Sequence, residues 1–349
     1  MSRIEKEVKI GNVIIGGGHP VAIQSMLCCA LEDIEGNIAQ AKALEQAGCE
    51  IVRVTVPNAQ GVKLLSSLKE SLSIPVVADI HYDYKMALES VAAGADKIRL
   101  NPGNLSSPEQ VKMVADACRQ AGVPIRVGAN SGSVAAEVLA KHGGLPTAAA
   151  LAESAMAQVE MLRRFDFEDV VVSIKASHVP TMVEACRLFA AQSDIPQHIG
   201  VTEAGTLRMG LVKSAVGIGS LLLDGIGSTL RVSLTADPVE EIRAAKDILL
   251  ACGLRRDRVE VVSCPTCGRC KVDVLTLADK VEQMVSDIRK PLTVAVMGCV
   301  VNGVGEGKQA DIGIAGGDGE YLLFKKGVAL KKYPMEGILE VLREELESM

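Results

Sequence analysis

Residues 21–56 read VAIQSMLCCALEDIEGNIAQAKALEQAGCEIVRVTV, and the way this stretch alternates decides the fold. Its two ends, VAIQSM (21–26) and EIVRVTV (50–56), are short β-rich runs. Between them, DIEGNIAQAKALEQAG (33–48) spaces its apolar residues near 3.6 and stops at a glycine, as an amphipathic helix does. The alternation recurs through PVVADI (75–80), KIRLNPG (97–103), PIRVGAN (124–130), VVVSIKAS (170–177), HIGVTEAG (198–205) and TLRVSL (229–234). Eight strand–helix units in roughly 230 residues match the count and size of a TIM barrel. A doubly wound open sheet is the rival architecture, but eight regular units favour closure. The expected fold is α/β, a TIM (β/α)8 barrel over residues 1–253 followed by a smaller α+β domain over 254–349.

The flanks fit this frame. KIGNVIIGGG (9–18) reads as a hairpin ahead of the first barrel strand. The last barrel helix is expected to start with Asp237 as N-cap before Pro238, and to end near Gly253. LRRDR (254–258) is a charged link. The second domain reads as a strand VEVVS (259–263), a cysteine loop, and a helix over 274–288 with Leu277, Val281, Met284, Val285 and Ile288 on one face. A strand LTVAVMG (292–298), a glycine-rich loop, a hairpin DIGIAGGDGEYLLFKK (311–326) and a closing helix follow.

Composition narrows the function classes. With 349 residues and 48% hydrophobic side chains, the chain sustains large buried cores. Aromatics are 2% and Trp is absent, so Val, Ile, Leu, Ala and Met must fill those cores, as buried parallel strands prefer. The start MSRIEKEVKI is charged where a signal peptide is apolar, and no run approaches a membrane span. A net charge of −6 lacks the basic footprint of a nucleic-acid binder. A cytoplasmic protein that binds neither membrane nor nucleic acid is expected. In that compartment the ten cysteines read as metal ligands or buried small groups rather than disulfides. Cys49, Cys118, Cys186 and Cys252 lie in helix-like or helix-end context, where packing is expected.

The barrel strands carry charge where apolar residues belong. Arg53, Arg99, Arg126 and Arg231 sit inside IVRV, KIRL, PIRV and TLRV; Lys175 ends the sixth strand, and Asp79 and Glu203 end the third and seventh. Buried charge is costly unless paired. Internal pairing with two acids would satisfy two of the five cations, so the excess points to an anionic ligand, and several guanidinium forks suit a diphosphate. Asn101, Asn130 and Ser233 near strand ends could add neutral hydrogen bonds. Glu203 is the candidate acid or base. His81 reads equally as a proton shuttle or phosphate contact and as a structural histidine.

SCPTCGRC (263–270) sets Cys264, Cys267 and Cys270 at two-residue gaps, similar to the start of a ferredoxin ligand run but without its closing C-P. Cys299 in MGCVVNGVGEG (297–307) is the obvious fourth thiol, and structural zinc competes for any four-cysteine site.

SCPTCGR followed by GCVVNGVGE resembles the 4-hydroxy-3-methylbut-2-enyl diphosphate synthase family, iron–sulfur enzymes of the methylerythritol phosphate route to isoprenoids. The resemblance extends over nearly the whole chain, through VAIQSM, VRVTVP, VADIHYDYKMAL, KIRLNPGN, VSIKAS, GVTEAG and VKSAVGIGSLLLDGIGSTLRVSLTADPVEEI. It implies a 4Fe–4S cluster held by Cys264, Cys267, Cys299 and Glu306, with Cys270 a bystander. A carboxylate binds cluster iron more weakly than thiolate, and a replaceable fourth ligand suits a catalyst rather than an electron carrier. The implied reaction is the reductive opening of 2-C-methyl-D-erythritol 2,4-cyclodiphosphate. The barrel cations would clamp the diphosphate, Asp79, His81, Asn101, Asn130 and Ser233 would line the site, and Glu203 would protonate the departing hydroxyl. A reduced flavodoxin or ferredoxin is the implied donor. A homodimer in which one subunit's cluster domain caps the other's barrel is the implied assembly. Two departures stand out: QSMLCC replaces the family's usual QSMTNT, and Val304 replaces a common proline before Glu306. The competing readings are another phosphate- or pterin-binding barrel enzyme with a structural metal domain, and a non-catalytic iron–sulfur carrier or sensor.

Overall fold

The computed structural model of the chain describes residues 5–105, 107–132 and 134–349, with the side chains of 302–304 and 306 outside what it describes. The chain packs as two compact units, Met1–Leu254 and Arg255–Met349.

The first unit opens with a hairpin of β1 (Val8–Ile10) and β2 (Val13–Ile15), turned at Gly11 with φ +56°. Val8, Ile10 and Ile15 pack on Ala22, Ile51, Val77 and Val171, early in their strands, and so plug the amino-terminal end of the barrel. Each such fully buried branched side chain is worth roughly 1.5–3 kcal/mol. The barrel strands are β3 (Ala22–Met26), β4 (Ile51–Thr55), β5 (Val76–Asp79), β6 (Lys97–Arg99), β7 (Ile125–Asn130), β8 (Val170–Lys175), β9 (His198–Ile199) and β10 (Thr229–Leu230). Among the described residues they form one parallel sheet in the order β8-β7-β6-β5-β4-β3-β10-β9. Val172 in β8 bridges Gln197 just before β9, with its N–H donating to the Pro196 carbonyl at 3.0 Å, and this closes the ring. The barrel expected from the sequence is therefore correct, and the open sheet is excluded.

The outer helices are α1 (Ile34–Ala47), α2 (Ala59–Ser71), α3 (Tyr84–Ala92), α4 (Pro108–Ala121), α5 (Ala136–Lys141), α6 (Ala148–Arg163), α7 (Val179–Gln192), α8 (Leu207–Leu223) and α9 (Pro238–Ala251). Their ends carry the expected caps. Asp33 accepts from Gly36 N–H ahead of α1, whose far end is closed by Gly48 at φ +98°. Asp237 caps α9 by accepting from Val239 N–H at 2.8 Å, with Pro238 in the first turn. The seventh strand is much shorter than the sequence suggests: it ends at Ile199, and the chain turns through left-handed backbone at Glu203 (φ +52°) and Gly205 (φ +107°).

The second unit contains β11 (Glu260–Ser263), α10 (Val274–Val285), β12 (Thr293–Met297), α11 (Val300–Gly305), β13 (Ile312–Gly316), β14 (Glu320–Lys325), β15 (Val328–Pro334) and α12 (Ile338–Ser348). The strands lie in chain order; β11, β12 and β13 run parallel, and β13, β14 and β15 antiparallel. Leu277, Val281 and Val285 of α10 and Leu342 and Leu346 of α12 share a core with Val294, Val296, Ile312 and Ile314. Two expectations need correction. The glycine-rich segment expected as a loop forms α11 and a 3-10 turn over Glu306–Gln309. The hairpin expected to end at 326 continues into a third strand, β15, because Lys326 (φ +47°) and Gly327 (φ +75°) make a tight two-residue turn that suits the strand twist.

Candidate active site

Strand register brings the barrel's charged residues to one end. Met26 pairs with Arg53, Asp79 with Arg99, Arg99 with Arg126, and Asn130 with Lys175. Cross-strand partners face the same side of a sheet, so these side chains converge inside the barrel near the carboxyl ends of their strands. Asp79 is 2% exposed and serves two guanidiniums, Arg99 Nη1 at 3.2 Å and Arg53 Nε at 3.6 Å. Burial pushes the Asp79 carboxyl up, but Arg53, Arg99 and Arg126 together outweigh it and hold the group below its usual range.

Glu241, absent from the sequence-based set, is the second carboxylate of the pocket. Projecting from the first turn of α9, it is 4% exposed and accepts from Arg231 Nε at 3.3 Å, Ser25 Oγ at 3.1 Å and Leu234 N–H at 3.0 Å. A signal existed: it falls in register with the buried Ala244, Ala245 and Ile248 of the same helix. Lys97, one pleat deeper than Arg99, was missed as well. It is fully buried, with Nζ donating to Gln24 Oε1 at 3.2 Å. Burial, then Arg126 and Arg53, press its charge well below the ordinary lysine range.

The remaining cations are less well matched. Arg126 is 2% exposed, and its Nε and Nη2 have no hydrogen-bond partner. Burial first, then Arg53 and Arg99, oppose its charge, and Asp79 only partly compensates. Lys175 is opposed by burial, then by Arg231, Arg53 and Arg126. A side chain at position 200 would run into the Arg231 carbonyl oxygen and come within 3.3 Å of Lys175 Nζ, so Gly200 is what lets Lys175 lie across β9. Burial brings Arg53 down to about 10, Asp79 working against it and Arg231 and Arg99 with it. Arg53 also donates to Met26 Sδ from Nε at 3.1 Å and Nη2 at 2.7 Å, and Arg231 Nη1 reaches the same sulfur at 3.5 Å. A neutral thioether is a weak acceptor for two guanidiniums.

The structure thus gathers Arg53, Asp79, Arg99, Arg126, Lys175 and Arg231. Asn101 joins them: it is 5% exposed, and its Oδ1 is unpaired and lies 3.9 Å from where a Cβ on Gly128 would stand. Asn130 is half-buried opposite Lys175. His81 is half-buried just past β5, close enough for its charge to favour ionised Asp79. Ser233 is half-buried beyond β10. Glu203 differs from expectation: it is exposed on the turn after β9 rather than held among apolar strands. Five cations at the mouth stand against two carboxylates, Asp79 and Glu241, a charge excess that a multiply charged anion would balance.

In the second unit, Cys264 follows β11 and Cys299 follows β12, two adjacent parallel strands. Cys264 and Cys299 are buried and Cys267 is exposed on the intervening loop. Gly298 N–H donates to Cys264 Sγ at 3.2 Å, the kind of hydrogen bond that tunes cluster thiolates. A backbone N–H from Arg269 is the main influence holding the Cys267 thiol below its usual range. Cys270 has a role as a prop: its Sγ accepts from Cys267 N–H at 3.5 Å and would stand 2.6 Å from a Cβ on Gly298. A cavity of about 520 Å³ adjoins Cys299, lined among others by Arg269, Lys271, Gly316 and Gly317. Among the described residues no three His, Cys, Asp or Glu side chains stand in a ligating arrangement, and the side chains of Val304 and Glu306 lie outside what is described. The donors are soft thiols with an N–H donor to sulfur, a set that fits an iron–sulfur cluster.

Two family models match the chain: one described as GcpE TIM-barrel domain over residues 5–246, the other as GcpE protein C-terminal domain over 260–348. A protein of Caldanaerobacter subterraneus subsp. tengcongensis, named 4-hydroxy-3-methylbut-2-en-1-yl diphosphate synthase (flavodoxin), is 51% identical over 349 residues, covering 100% of this chain and 98% of the relative. One of the same name from Ruminiclostridium cellulolyticum is 49% identical over 344 residues, covering 99% and 97%. Among solved structures, dihydropteroate synthase of Stenotrophomonas maltophilia superposes with a TM-score of 0.51 at 12% identity, over 69% of this chain and 97% of that one. The Yersinia pestis enzyme gives 0.50 at 12%, over 72% and 100%. At such identity the likeness concerns the barrel fold alone. No helix among the described residues is long and apolar enough to cross a membrane.

Proposed function

This chain belongs to the GcpE family, and on that premise we propose that it is the iron–sulfur oxidoreductase converting 2-C-methyl-D-erythritol 2,4-cyclodiphosphate to 4-hydroxy-3-methylbut-2-enyl diphosphate. The reaction opens the ring, takes up two electrons and two protons, and releases one water, in isoprenoid precursor biosynthesis. The observation that carries the reading onto residues is the excess of buried positive charge at the barrel mouth, where Arg126 has two unpaired guanidinium nitrogens.

In this reading Arg53, Arg99, Arg126, Lys175 and Arg231 hold the cyclic diphosphate, and Asp79 and Glu241 hold three of those cations in place. As the bond from ring carbon to phosphate oxygen breaks, negative charge grows on the departing phosphate. Guanidiniums already fixed by strands and carboxylates stabilise that charge without reorganising. Asn101, Asn130, Ser233 and His81 supply neutral or switchable hydrogen bonds to hydroxyl and phosphate oxygens. Glu203, exposed beyond β9, gives its proton to the departing hydroxyl. Cys264, Cys267, Cys299 and Glu306 would hold a 4Fe–4S cluster, which when bound would supply one-electron reducing equivalents. Reduced flavodoxin or ferredoxin is the donor, the enzyme works as a homodimer, and it resides in the cytoplasm.

The test is anaerobic turnover of the cyclodiphosphate with an artificial reductant, alongside iron and sulfide counts. Brown protein with matched iron and sulfide and measurable turnover is the expected outcome; colourless, zinc-loaded protein without turnover would favour a structural metal domain. Glu306→Ala and Arg99→Ala should each abolish turnover, and activity retained in either removes that residue from the site.

A further inference from the structure

Cys28 and Cys29 follow the end of β3 and take no part in the chemistry above. Cys28 is exposed and Cys29 half-buried, and both are free thiols. Gln40 on α1 grips Cys28 twice: its Oε1 accepts from Cys28 N–H at 2.9 Å, and its Nε2 donates to Cys28 Sγ at 3.1 Å. Just upstream, Leu27 N–H donates to the Arg53 carbonyl at 3.0 Å, and Met26 Sδ lies between Arg53 and Arg231. The dithiol is therefore joined to the cation pocket by two residues of chain, both anchored on it.

We propose that Cys28 and Cys29 form a thiol-modification site at the barrel mouth, which a peroxide closes to a vicinal disulfide that weakens anion binding in the adjoining pocket. Cys28 is the first to react, being exposed and holding an amide donor at its sulfur. Burial first, then the charges of Cys28 and Asp33, hold the Cys29 thiol above its usual range. The Cys28 thiolate attacks a peroxide oxygen and the O–O bond breaks, giving a sulfenic acid and, for hydrogen peroxide, one water. The Cys29 sulfur then displaces the hydroxyl from Cys28, forming the S–S bond and a second water. Two electrons leave the thiol pair for the peroxide, and both thiol protons end in water.

Adjacency sets the character of this bond. Neighbouring Cα atoms stand about 3.8 Å apart across a trans peptide, closer than the usual ~4.4–6.8 Å of a disulfide. Such a strained, exposed bond is readily reduced, which suits a reversible mark rather than a structural staple. Closing the ring must also pull Cys28 off Gln40 and draw on Leu27, whose N–H bonds the Arg53 carbonyl in the middle of β4.

The experiment exposes the full-length protein to one equivalent of hydrogen peroxide, blocks remaining thiols, and maps tryptic fragment 10–42, which holds these two cysteines and no other. Pyrophosphate binding is measured on the same samples by calorimetry. The Cys28→Ser/Cys29→Ser double variant undergoes the same cluster damage and controls for it. The expected result is a fragment about 2 Da lighter and resistant to alkylation, with several-fold weaker pyrophosphate binding restored by a thiol reductant. The double variant should keep its affinity under peroxide. An unlinked pair, over-oxidation of Cys28 alone, or a linked pair with unchanged affinity overturns the proposal. Failure of the reduced protein to bind pyrophosphate would instead overturn the anion-pocket reading on which the binding effect rests, leaving fragment mass to decide the modification site.

Discussion

In the barrel, Asp79 and Glu241 fix Arg53, Arg99 and Arg231 at 3.2–3.6 Å, and all five side chains are largely buried. In the second unit, Cys267 stands exposed on a loop between two buried thiols, held by a 3.5 Å contact to Cys270. One site is pinned by strand register and paired charge; in the other, Cys264 takes an N–H from Gly298 at 3.2 Å while Cys267 rides an exposed loop. On the proposed function, the difference follows from the ligands each would meet. A diphosphate brings charge but no covalent bond, so its forks must be aimed beforehand, or binding would have to supply their ordering and desolvation. A metal cluster brings strong bonds to deprotonated thiols, and that binding energy is itself available to draw a loop into place. The barrel pocket should therefore respond to changes in charge balance, and the cysteine loop to loss of a ligand but little to loss of a prop.

The largest effect is expected at Arg126. Arg126→Met keeps the bulk and removes a buried cation whose Nε and Nη2 have no partner. Replacing a poorly compensated buried charge by an apolar side chain of similar volume is often stabilising, by about 1–4 kcal/mol. Affinity for pyrophosphate should nonetheless fall by about 10³-fold, roughly 4 kcal/mol. Chemical denaturation and calorimetry on the same preparation check both halves. A variant that loses stability together with affinity would mean that Arg126 serves the fold, and that the pocket is no more preset than the cysteine loop.

Asp79 should behave in the opposite sense. Asp79→Asn leaves Arg53 and Arg99 buried without their shared carboxylate, at a cost of about 3 kcal/mol of stability near neutral pH. The pH dependence has a definite sign. Arg53, Arg99 and Arg126 hold the folded Asp79 pKa below its unfolded value near 4, against the push of burial. Its contribution is therefore present above about 4 and is lost as pH falls below that, through the folded pKa. The wild-type chain should lose stability on that acid side more steeply than Asp79→Asn, in urea titrations at a series of pH values. Parallel profiles for the two chains would show that Asp79 does not balance the guanidiniums.

How far these sites could be read from the sequence depends on what makes a residue conspicuous. Arg53, Arg99, Arg126 and Arg231 stand out because a long cation inside an apolar strand violates the rule for buried strands. The barrel was legible for a related reason, since capped helices such as that from Asp33 to Gly48 recur between the strands. Glu241 was hidden because an acid in the first turn of a helix is common on electrostatic grounds alone, and only its register with Ala245 and Ile248 marks it as inward. Lys97 opens its strand, where a polar residue violates no pattern. Glu203 was read as ending a strand because HIGVTEAG reads as extended, but the strand stops at Ile199 and the backbone turns left-handed at Glu203 and Gly205. The last strand of the second unit was missed beyond Lys326–Gly327, a pair whose turn becomes evident only from backbone angles. The contact of Cys270 with Gly298 joins residues from separate strand ends, and such contacts leave no local pattern.

That contact supplies the smallest predicted effect, and the one that most sharpens the contrast. Cys270→Ala removes the acceptor of Cys267 N–H and leaves a small gap beside Gly298. A long N–H···S contact on an exposed loop is worth about 1 kcal/mol or less, so turnover should change by no more than about fivefold. Iron and sulfide per chain should stay at the wild-type level, whereas Cys264→Ala, which deletes a buried sulfur bonded to Gly298 N–H, should empty the protein of both. Measured side by side, the two variants separate a prop from a ligand. If Cys270→Ala lost its iron as completely as Cys264→Ala, Cys270 would be a ligand, and the all-cysteine site that competes with Glu306 would be restored.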